Sequence, residues 1–314
     1  MSSDGLGISV KTRLKYFRSR INVWDYAGEL PPVKRSNGIP RMIHQTFPRR
    51  TLPGELRENM LNIKNLNPEW EYKFYDDAAV LEFIESNYGE NVVELFNRIN
   101  PSYGAARADL FRYLLMYRCG GVYLDIKAST TRPLRTSLRD DDQYVLSHWR
   151  NRPMDCHAGY GLYPEVGGRG EYQQWHIIAA AGHPFLRGVL AKVLRNIEEY
   201  VPYLDGVARR GVLRATGPIA YTLAIKPLLD QHPHRVAASE ESLGLQYSVY
   251  AAYNHHRLLF RKHYTTNPEP VVFGSRAAKL LDTPFFLCRK IGAHSLRVLK
   301  GCMEIVKEQL GSFG

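Results

Sequence analysis

The stretch of sequence that decides the fold covers residues 105–127 and reads AARADLFRYLLMYRCGGVYLDIK. Its first part, 105–118, places leucine and phenylalanine at helical spacing, which predicts a helix with one apolar face. Two glycines, Gly120 and Gly121, predict the end of this helix, because glycine readily adopts the positive φ angle that a helix end requires. Over 122–127 apolar and polar residues alternate, which predicts a short strand.

Charged side chains lie at defined positions in these two elements. Asp109 and Arg112 are about 60° apart around the helix axis at roughly 100° per residue, so they share a face, and it is not the leucine face. Alternation along the strand places Asp125 and Lys127 on one side. We expect the strand end to lie beside the Asp109 and Arg112 face. The simpler alternative for the helical pair is an exposed ion pair, which contributes little.

The ordered pattern A-R-x-D-L-x-R-Y, then G-G-x-Y-x-D, resembles the sugar transferases of glycosyltransferase family 32. A second motif typical of that family, I-P-x-x-I-H-Q, stands upstream at residues 39–45. The resemblance covers roughly residues 39–225. It implies a nucleotide-sugar donor, retention of configuration at the anomeric carbon, and an α/β fold with a GT-A-type, Rossmann-like mixed sheet flanked by helices. We expect a single main domain with helical extensions.

The resemblance also implies roles for individual residues. It places Asp109 and Arg112 at the donor sugar and its phosphates, and it places Asp125 at the ribose, the sugar hydroxyls or a metal ion. The candidate catalytic residues are Asp109, Asp125 and Lys127. The further candidates for donor binding lie at the start of the helix or the end of the first strand: Tyr103, Ala106, Arg107, His44 and Gln45. Arg107 is about 160° from Asp109 around the helix, so it reaches the same face only if the first turn is distorted.

The chain departs from the family at the metal-binding position. The D-x-D motif normally ends in a second aspartate that binds Mn²⁺ or Mg²⁺, and here that position is Lys127. A charged lysine does not ligate a cation and repels one. Three hypotheses follow. Asp125 holds the divalent cation with help from a distant histidine (His255, His256 or His263). Alternatively, Lys127 replaces the metal by pairing with the diphosphate. In the third, catalysis is lost and the chain is an inactive scaffold.

Residues further along the chain are candidates for binding a glycan or lipid-linked acceptor. Gln174 and Trp175 fall where acceptor contacts are expected, and a tryptophan suits the apolar face of a sugar ring. A tryptophan in the core is the alternative reading. His148 is similarly ambiguous. The segment 151–170 is rich in glycine, proline and polar residues, as a loop over a site would be.

Elsewhere the sequence alternates between predicted strands and helices, and this order predicts a mostly parallel sheet. The predicted strands are 41–47, 70–75 and 144–147, and the predicted helices are 53–65, 78–87, 91–99, 171–181 and 184–200. We expect Thr216 to cap the helix that begins at Pro218. Three segments are predicted: a basic extension and linker over 1–38, a catalytic domain over 39–240, and a part over 241–314 that completes the site and ends in an amphipathic helix.

The charge of the chain favours an anionic partner. It has 42 Lys and Arg against 31 Asp and Glu, a formal net charge of +11. Five basic residues and no acidic ones fall within 5–24, between apolar residues at helical spacing. This predicts a basic amphipathic helix, which either packs on its own domain or lies on an anionic membrane surface. A basic nucleic-acid-binding protein is the alternative from another class, but no nucleic-acid-binding motif appears, so we expect no nucleic acid partner.

The cellular compartment of the protein is predicted from three sequence patterns that are missing. There is no run of about 18 apolar residues, as a transmembrane helix needs. No apolar segment with a small-residue cleavage site opens the chain, as a signal peptide would. The four cysteines are scattered without C-x-x-C spacing, which fits a reducing compartment. We expect a cytoplasmic protein, peripheral at the inner face of the plasma membrane if the basic helix binds lipid.

Overall fold

The computed structural model describes residues 26–28, 30–153, 157–250 and 264–274. Both predicted amphipathic helices, at the two ends of the chain, lie outside the described residues. So do the three histidines proposed as metal ligands, His255, His256 and His263. Among the described residues, no helix combines the length and hydrophobicity needed to span a membrane.

Eight strands and eight α-helices, with four short 3₁₀ turns, make up the described part of the chain. The strands are β1 Met42–Thr46, β2 Glu71–Tyr75, β3 Gly121–Leu124, β4 Ser129–Thr130, β5 Tyr144–Leu146, β6 His176–Ala179, β7 Arg235–Val236 and β8 Leu245–Gln246. The helices are α1 Gly54–Leu66, α2 Asp77–Asn87, α3 Glu90–Arg98, α4 Gly104–Cys119, α5 Pro184–Glu198, α6 Pro202–Asp205, α7 Ala208–Ala215 and α8 Pro218–Ile225. The 3₁₀ turns are Leu134–Thr136, Lys226–Gln231, Glu241–Leu243 and Tyr264–Thr266.

Six strands form one mixed sheet in the order β2-β1-β3-β6-β5-β7. β1 runs parallel to β2 and β3, and β5 runs parallel to β7, but β6 is antiparallel to both of its neighbours. The predicted α/β class with a mixed sheet flanked by helices is confirmed. β4 and β8 form a separate two-stranded sheet.

The predicted helix over 171–181 is wrong, because this segment contributes strand β6. All four residues of β6 are buried between β3 and β5. A strand buried on both faces is a short apolar run without alternation, and such a run cannot be told from a buried helix by its periodicity. The insertion of β6 is also why the sheet is less parallel than predicted.

The core lies in two apolar clusters, one on each face of the sheet. Tyr123 packs with helices α4 and α5 in one cluster, while its neighbours Val122 and Leu124 belong to the other, with Ile63 of α1. This division follows the alternation of side chains along a strand. Helix α4 has no polar face toward solvent, because ten of its residues are buried, Asp109 and Arg112 among them.

The turn between α4 and β3 is as predicted. Gly120 and Gly121 have φ angles of +65° and +100°, and a Cβ atom at either would lie 2.5 Å from Ala181 N or 2.6 Å from Met42 O, respectively. The glycines therefore let β3 enter the sheet between β1 and β6. The predicted extent of β3 is wrong at its far end. The strand stops at Leu124, and Ala128 N donates to Asp125 O at 2.8 Å to close a turn. Lys127 consequently does not follow the alternation of the strand.

Chain segments outside the predicted catalytic domain pack against it. Within the predicted linker, Ser36 exchanges two hydrogen bonds with Ala181, one of them from its backbone N–H to Ala181 O at 3.2 Å. Near the other end of the described chain, Asn100 N donates to Val271 O at 2.9 Å. The predicted domain limits themselves stay a prediction.

Candidate functional site

Asp125 lies where β3 ends, at the start of the turn. Its backbone N–H donates to Trp175 O at 2.8 Å, and its carbonyl accepts from Gln45 Nε2 at 3.1 Å. Its carboxylate pairs with Arg112, whose Nη1 is 2.9 Å from Asp125 Oδ1, and the Asp125 side chain is 26% exposed against 5% for that of Arg112. A rigid backbone thus presents a carboxylate that is partly open to solvent.

Arg112 connects helix α4 to the strand end. Its Nη1 also donates to Gln174 O at 2.8 Å, and its Nη2 lies 3.2 Å from Asp109 Oδ1. The guanidinium packs 4.8 Å from the centre of the Tyr123 ring. Burial by itself lowers the pKa of Arg112, but the carboxylates of Asp125 and Asp109 offset that effect, so its pKa is raised and the group stays charged.

Asp109 is buried and has hydrogen bonds on both carboxylate oxygens. Gln174 Nε2 donates to Oδ1 at 3.0 Å, and Thr216 Oγ1 donates to Oδ2 at 3.0 Å. Burial raises the pKa of Asp109, while Arg112 and the two hydrogen bonds act against that rise. In this arrangement Asp109 orients Arg112, and Arg112 orients Asp125. We use the name Asp109 network for five side chains: Asp109, Arg112, Asp125, Gln174 and Thr216.

Two members of the Asp109 network were expected elsewhere. Gln174 was predicted to contact the acceptor, but its amide bonds Asp109 and also accepts from Tyr113 OH at 3.2 Å. Thr216 was predicted to cap a helix, but α8 has Gly217 at its N-cap, without a side-chain hydrogen bond. Since both residues are more than 60 positions from Asp109 in sequence, no local pattern could have found these contacts.

Lys127 lies against Tyr247, which the sequence did not single out. Lys127 Nζ donates to Tyr247 OH at 2.8 Å and sits 4.0 Å from the centre of its ring. Burial lowers the pKa of Lys127 to about 8, and the charge of Asp125 opposes this shift. The Tyr247 ring in turn packs 5.0 Å from Trp149 and 5.4 Å from Trp175. Trp175 itself is buried in this aromatic group.

Four candidates for donor binding are buried and bonded within the fold. The His44 ring joins Gly120 O at 3.1 Å and Tyr75 OH at 3.2 Å, and burial lowers its pKa to about 4, so it is neutral at pH 7. Gln45 holds the Asp125 turn, and Tyr103 OH donates to Asn267 O at 2.9 Å. Ala106 is fully buried. Of these four, Gln45 contacts the Asp125 turn directly, and the side-chain bonds of Tyr103 go to other parts of the fold.

The remaining candidates lie apart from the Asp109 network. Arg107 packs 4.4 Å from the centre of the Phe96 ring. His148 Nδ1 lies 2.9 Å from Glu171 O, and its ring packs 4.5 Å from that of Tyr172. The structure therefore brings together Asp109, Arg112, Asp125 and Gln174, with Lys127 following Asp125 in the same turn.

The segment that holds most of this network matches a known family. Residues 53–145 match the glycosyltransferase sugar-binding region containing the DXD motif. The chain carries a glycosyltransferase domain of DXD-containing family 32. The resemblance drawn from the ordered motifs is thereby confirmed. The matched region of this family 32 domain includes Asp109, Arg112, Asp125 and Lys127, but Gln174 and Thr216 lie beyond it.

Several curated proteins similar to this chain are fungal mannosyltransferases. The chain is 28% identical over 186 residues to inositol phosphoceramide mannosyltransferase 3 of Schizosaccharomyces pombe, covering 59% of this chain and 44% of the relative. It is 32% identical to mannosyl phosphorylinositol ceramide synthase SUR1 of Saccharomyces cerevisiae, covering 58% and 40%. An initiation-specific α-1,6-mannosyltransferase of Candida albicans is 25% identical, with 52% and 44% covered. The chain thus spans less than half the length of these relatives.

Two solved glycosyltransferase structures are also similar to the family 32 domain. The UDP-bound glycosyltransferase domain of the YGT toxin has a TM-score of 0.45 at 11% identity, covering 87% of this chain and 91% of that domain. The PaToxG glycosyltransferase has a TM-score of 0.43 at 15% identity, covering 70% and 80%.

The described part of the family 32 domain does not assemble a divalent-cation site. Within it, no three His, Cys, Asp or Glu side chains lie close enough together to hold a metal ion. At the D-x-D position Asp125 is paired with Arg112, and the next charged side chain is the Lys127 ammonium. Mg²⁺ is commonly held by one or two carboxylates together with substrate phosphates, so at this position Asp125 and the phosphates of a donor are the groups that could hold a divalent cation.

Proposed function

We propose that this chain transfers a hexose, with retention of configuration, from a nucleotide-sugar donor to a glycan or lipid-linked acceptor. The observation that carries this proposal is the Asp125 carboxylate, partly exposed at a strand end and held by buried Arg112 within a sugar-transferase region. Because the relatives are named as mannosyltransferases, mannose is the first hexose to test.

The Asp109 network suits the recognition of a sugar's hydroxyl groups. A carboxylate accepts hydrogen bonds from vicinal hydroxyls, and Asp125 Oδ1 is already fixed by Arg112, which leaves the other oxygen to a ligand. Fixed polar groups of this kind stabilise a developing charge without having to reorganise during the reaction. The network thus offers a preorganised wall for the donor sugar or its ribose.

A leaving nucleoside diphosphate needs positive charge near its phosphates. We propose that Lys127 supplies this charge, because Arg112 is already balanced by two carboxylates. The Lys127 ammonium bonds the Tyr247 phenol and has a low pKa for a lysine, so exchange of Tyr247 for a phosphate oxygen would favour its charged form. Lys127 would then take the role that the family resemblance gives to the second aspartate of the D-x-D motif and its metal.

The test is a search for the donor followed by a measurement of turnover. GDP-mannose, UDP-glucose and other nucleotide sugars are added to the protein and thermal unfolding is followed. A donor present at a hundred times its Kd stabilises the native state by about 2.7 kcal/mol. Stabilisation by one donor together with release of its sugar supports the proposal. If no nucleotide sugar stabilises the protein the proposal fails, and binding without turnover would indicate the inactive scaffold.

A further inference from the structure

A surface cavity of about 570 Å³ lies beside the turn that carries Asp125 and Lys127. One wall is helix α1, whose Glu55, Glu58, Asn59 and Asn62 share a face because they are three, one and three residues apart. The opposite wall is the β4–β8 sheet, with Ser129, Thr130 and Gln246 among its lining residues. The volume falls within the range of about 300–1,000 Å³ typical of small-molecule pockets.

Asn59 gives the cavity an unsatisfied hydrogen-bond acceptor. Its amide nitrogen Nδ2 donates to Ala128 O at 2.8 Å, so the side-chain amide is fixed in place. Asn59 is only 5% exposed, and within the described residues its Oδ1 has no hydrogen-bond partner. A buried carbonyl oxygen without a donor is unfavourable, and most such atoms in proteins are satisfied. Because Asn59 lines the cavity, a ligand hydroxyl that reaches this oxygen from the cavity would satisfy it.

The charges of the lining determine the kind of ligand. The lining contains two carboxylates, side-chain amides and hydroxyls, and among the described residues it contains no lysine or arginine. Carboxylates accept hydrogen bonds from hydroxyls but repel phosphate groups, whereas amides both donate and accept. We propose that this cavity binds a neutral polyhydroxylated ring, the sugar or polyol end of the acceptor, and this assignment rests on the transfer reaction proposed above.

The position of the cavity fits an acceptor. Asn59 contacts the carbonyls of Ile126 and Ala128, and Val249, which lines the cavity, donates its N–H to Lys127 O at 2.9 Å. Helix α1 and the β4–β8 sheet pack with one apolar cluster, while the side chains around the Asp109 network pack with the other. A donor at Asp125 and Lys127 and an acceptor in the cavity would therefore meet at the turn that carries these two residues.

The experiment is saturation-transfer NMR on the full chain without any donor. The neutral probes are methyl α-mannopyranoside and myo-inositol, and the anionic probes are mannose 6-phosphate and myo-inositol 1-phosphate. The cavity variant combines Glu58→Leu with Asn62→Leu, and the control combines Asn65→Leu, exposed on the same helix, with Glu85→Leu, exposed on α2. Removing two hydrogen-bonding groups is expected to weaken binding of a neutral probe at least about tenfold, and the control is expected to bind as the wild type does.

Several outcomes would overturn this inference. Equal signals from wild type and the cavity variant would place the probe elsewhere, and so would equal losses in both variants. Stronger binding of the phosphorylated probes would contradict the charge argument, and absence of signal with every neutral probe would remove the site. Because no donor is present, these results are separate from those on the proposed function. If a nucleotide sugar stabilises the protein but no neutral probe gives a signal, the cavity inference fails and the proposed function stands.

Discussion

At the scale of single residues, Asp125 and Asp109 differ in what surrounds their carboxylates. Asp109 is buried, with three hydrogen-bonding or ionic partners on its two oxygens. Asp125 is partly exposed and is paired through one oxygen with Arg112. A group that must bind a substrate needs free acceptor capacity, and a group that holds another in place does not. Asp125 is therefore the better candidate for direct contact with the donor.

This difference predicts the effect of Asp125→Asn. Transfer is expected to be lost, because an amide accepts hydrogen bonds from sugar hydroxyls less strongly than a carboxylate does. The fold should survive, since the amide oxygen still accepts from Arg112 and the position is partly solvated. The measurement is kcat at saturating donor, with thermal unfolding alongside. Asp109→Asn provides the contrast. At this buried position the new amide NH₂ would face the hydrogen-bond donors of Gln174 or Thr216, so the variant should lose stability as well as activity. Near-wild-type turnover of Asp125→Asn would remove Asp125 from the site.

The replacement of an aspartate by Lys127 predicts weak dependence on divalent metal. One ammonium close to the diphosphate would supply positive charge that a divalent cation otherwise provides. Wild-type turnover is expected to persist in EDTA, whereas Lys127→Asp should require added Mn²⁺ or Mg²⁺. The paired assay with and without chelator decides this. Complete loss of wild-type activity in EDTA, restored by Mn²⁺, would show that the lysine does not replace the metal.

The lowered pKa of Lys127 predicts that donor affinity depends on pH. Below about 8 the amine is protonated and attracts the diphosphate; as pH rises through about 8 the charge is lost. Arg112 keeps its charge over this range, because its pKa is raised. The Kd for the donor should therefore rise about tenfold per pH unit above that pKa. Lys127→Met is the control, and an equal rise in this variant would assign the effect to other groups.

At the scale of elements, helix α4 is placed by hydrogen bonds to segments far along the chain. Gln174 lies just before β6, and Thr216 lies between α7 and α8, and both bond Asp109. The single hydrogen of Tyr113 OH is shared between Thr216 O at 3.0 Å and Gln174 Oε1 at 3.2 Å. These contacts fix the rotation of α4 relative to β3, and through it the Arg112–Asp125 pair.

This arrangement predicts different effects for two substitutions of Thr216. Thr216→Val removes the hydroxyl and leaves Asp109 Oδ2 buried without its donor, which is expected to cost about 1–3 kcal/mol of unfolding free energy. Thr216→Ser keeps the hydroxyl and should cost less. Denaturant unfolding of both variants provides the measurement, and donor affinity should follow the same order. Equal stability of the two variants would mean that this hydrogen bond does not hold the network.

At the scale of the whole molecule, the net charge of +11 and the basic stretch near the start of the chain predict binding to anionic membranes. The stretch lies outside the described residues, so this stays a prediction from sequence. Each basic residue near such a surface contributes about 1 kcal/mol, and the five basic residues are Lys11, Arg13, Lys15, Arg18 and Arg20.

Flotation with liposomes measures this binding. The full chain is expected to float with anionic vesicles at low salt and to be released at high salt, because the attraction is screened. Replacing the five basic residues by glutamine should abolish flotation, and vesicles of uncharged net composition serve as the control. If the glutamine variant floats as well as the wild type, another part of the chain holds it on the membrane.

Sequence alone determined the features that depend on local order. The motif around Asp109 and the apolar spacing of α5 predicted two helices, and the glycine pair with the alternation after it predicted the turn and strand β3, all of which the structure contains. These signals are local, because propensity, helix ends and side-chain spacing are properties of neighbouring residues. The family of the domain followed from the same short motifs.

Only the tertiary structure decided which side chains meet. The buried segment before and within β6 gave no periodicity to separate strand from helix, and its place between β3 and β5 comes from pairing with both. Gln174 and Thr216 reach Asp109, and Tyr247 reaches Lys127, across 65, 107 and 120 positions of sequence. Burial of Asp109 and Arg112 likewise depends on packing around α4. Hydrogen bonds between distant segments form only after the chain has folded, and local sequence carries no signal of them.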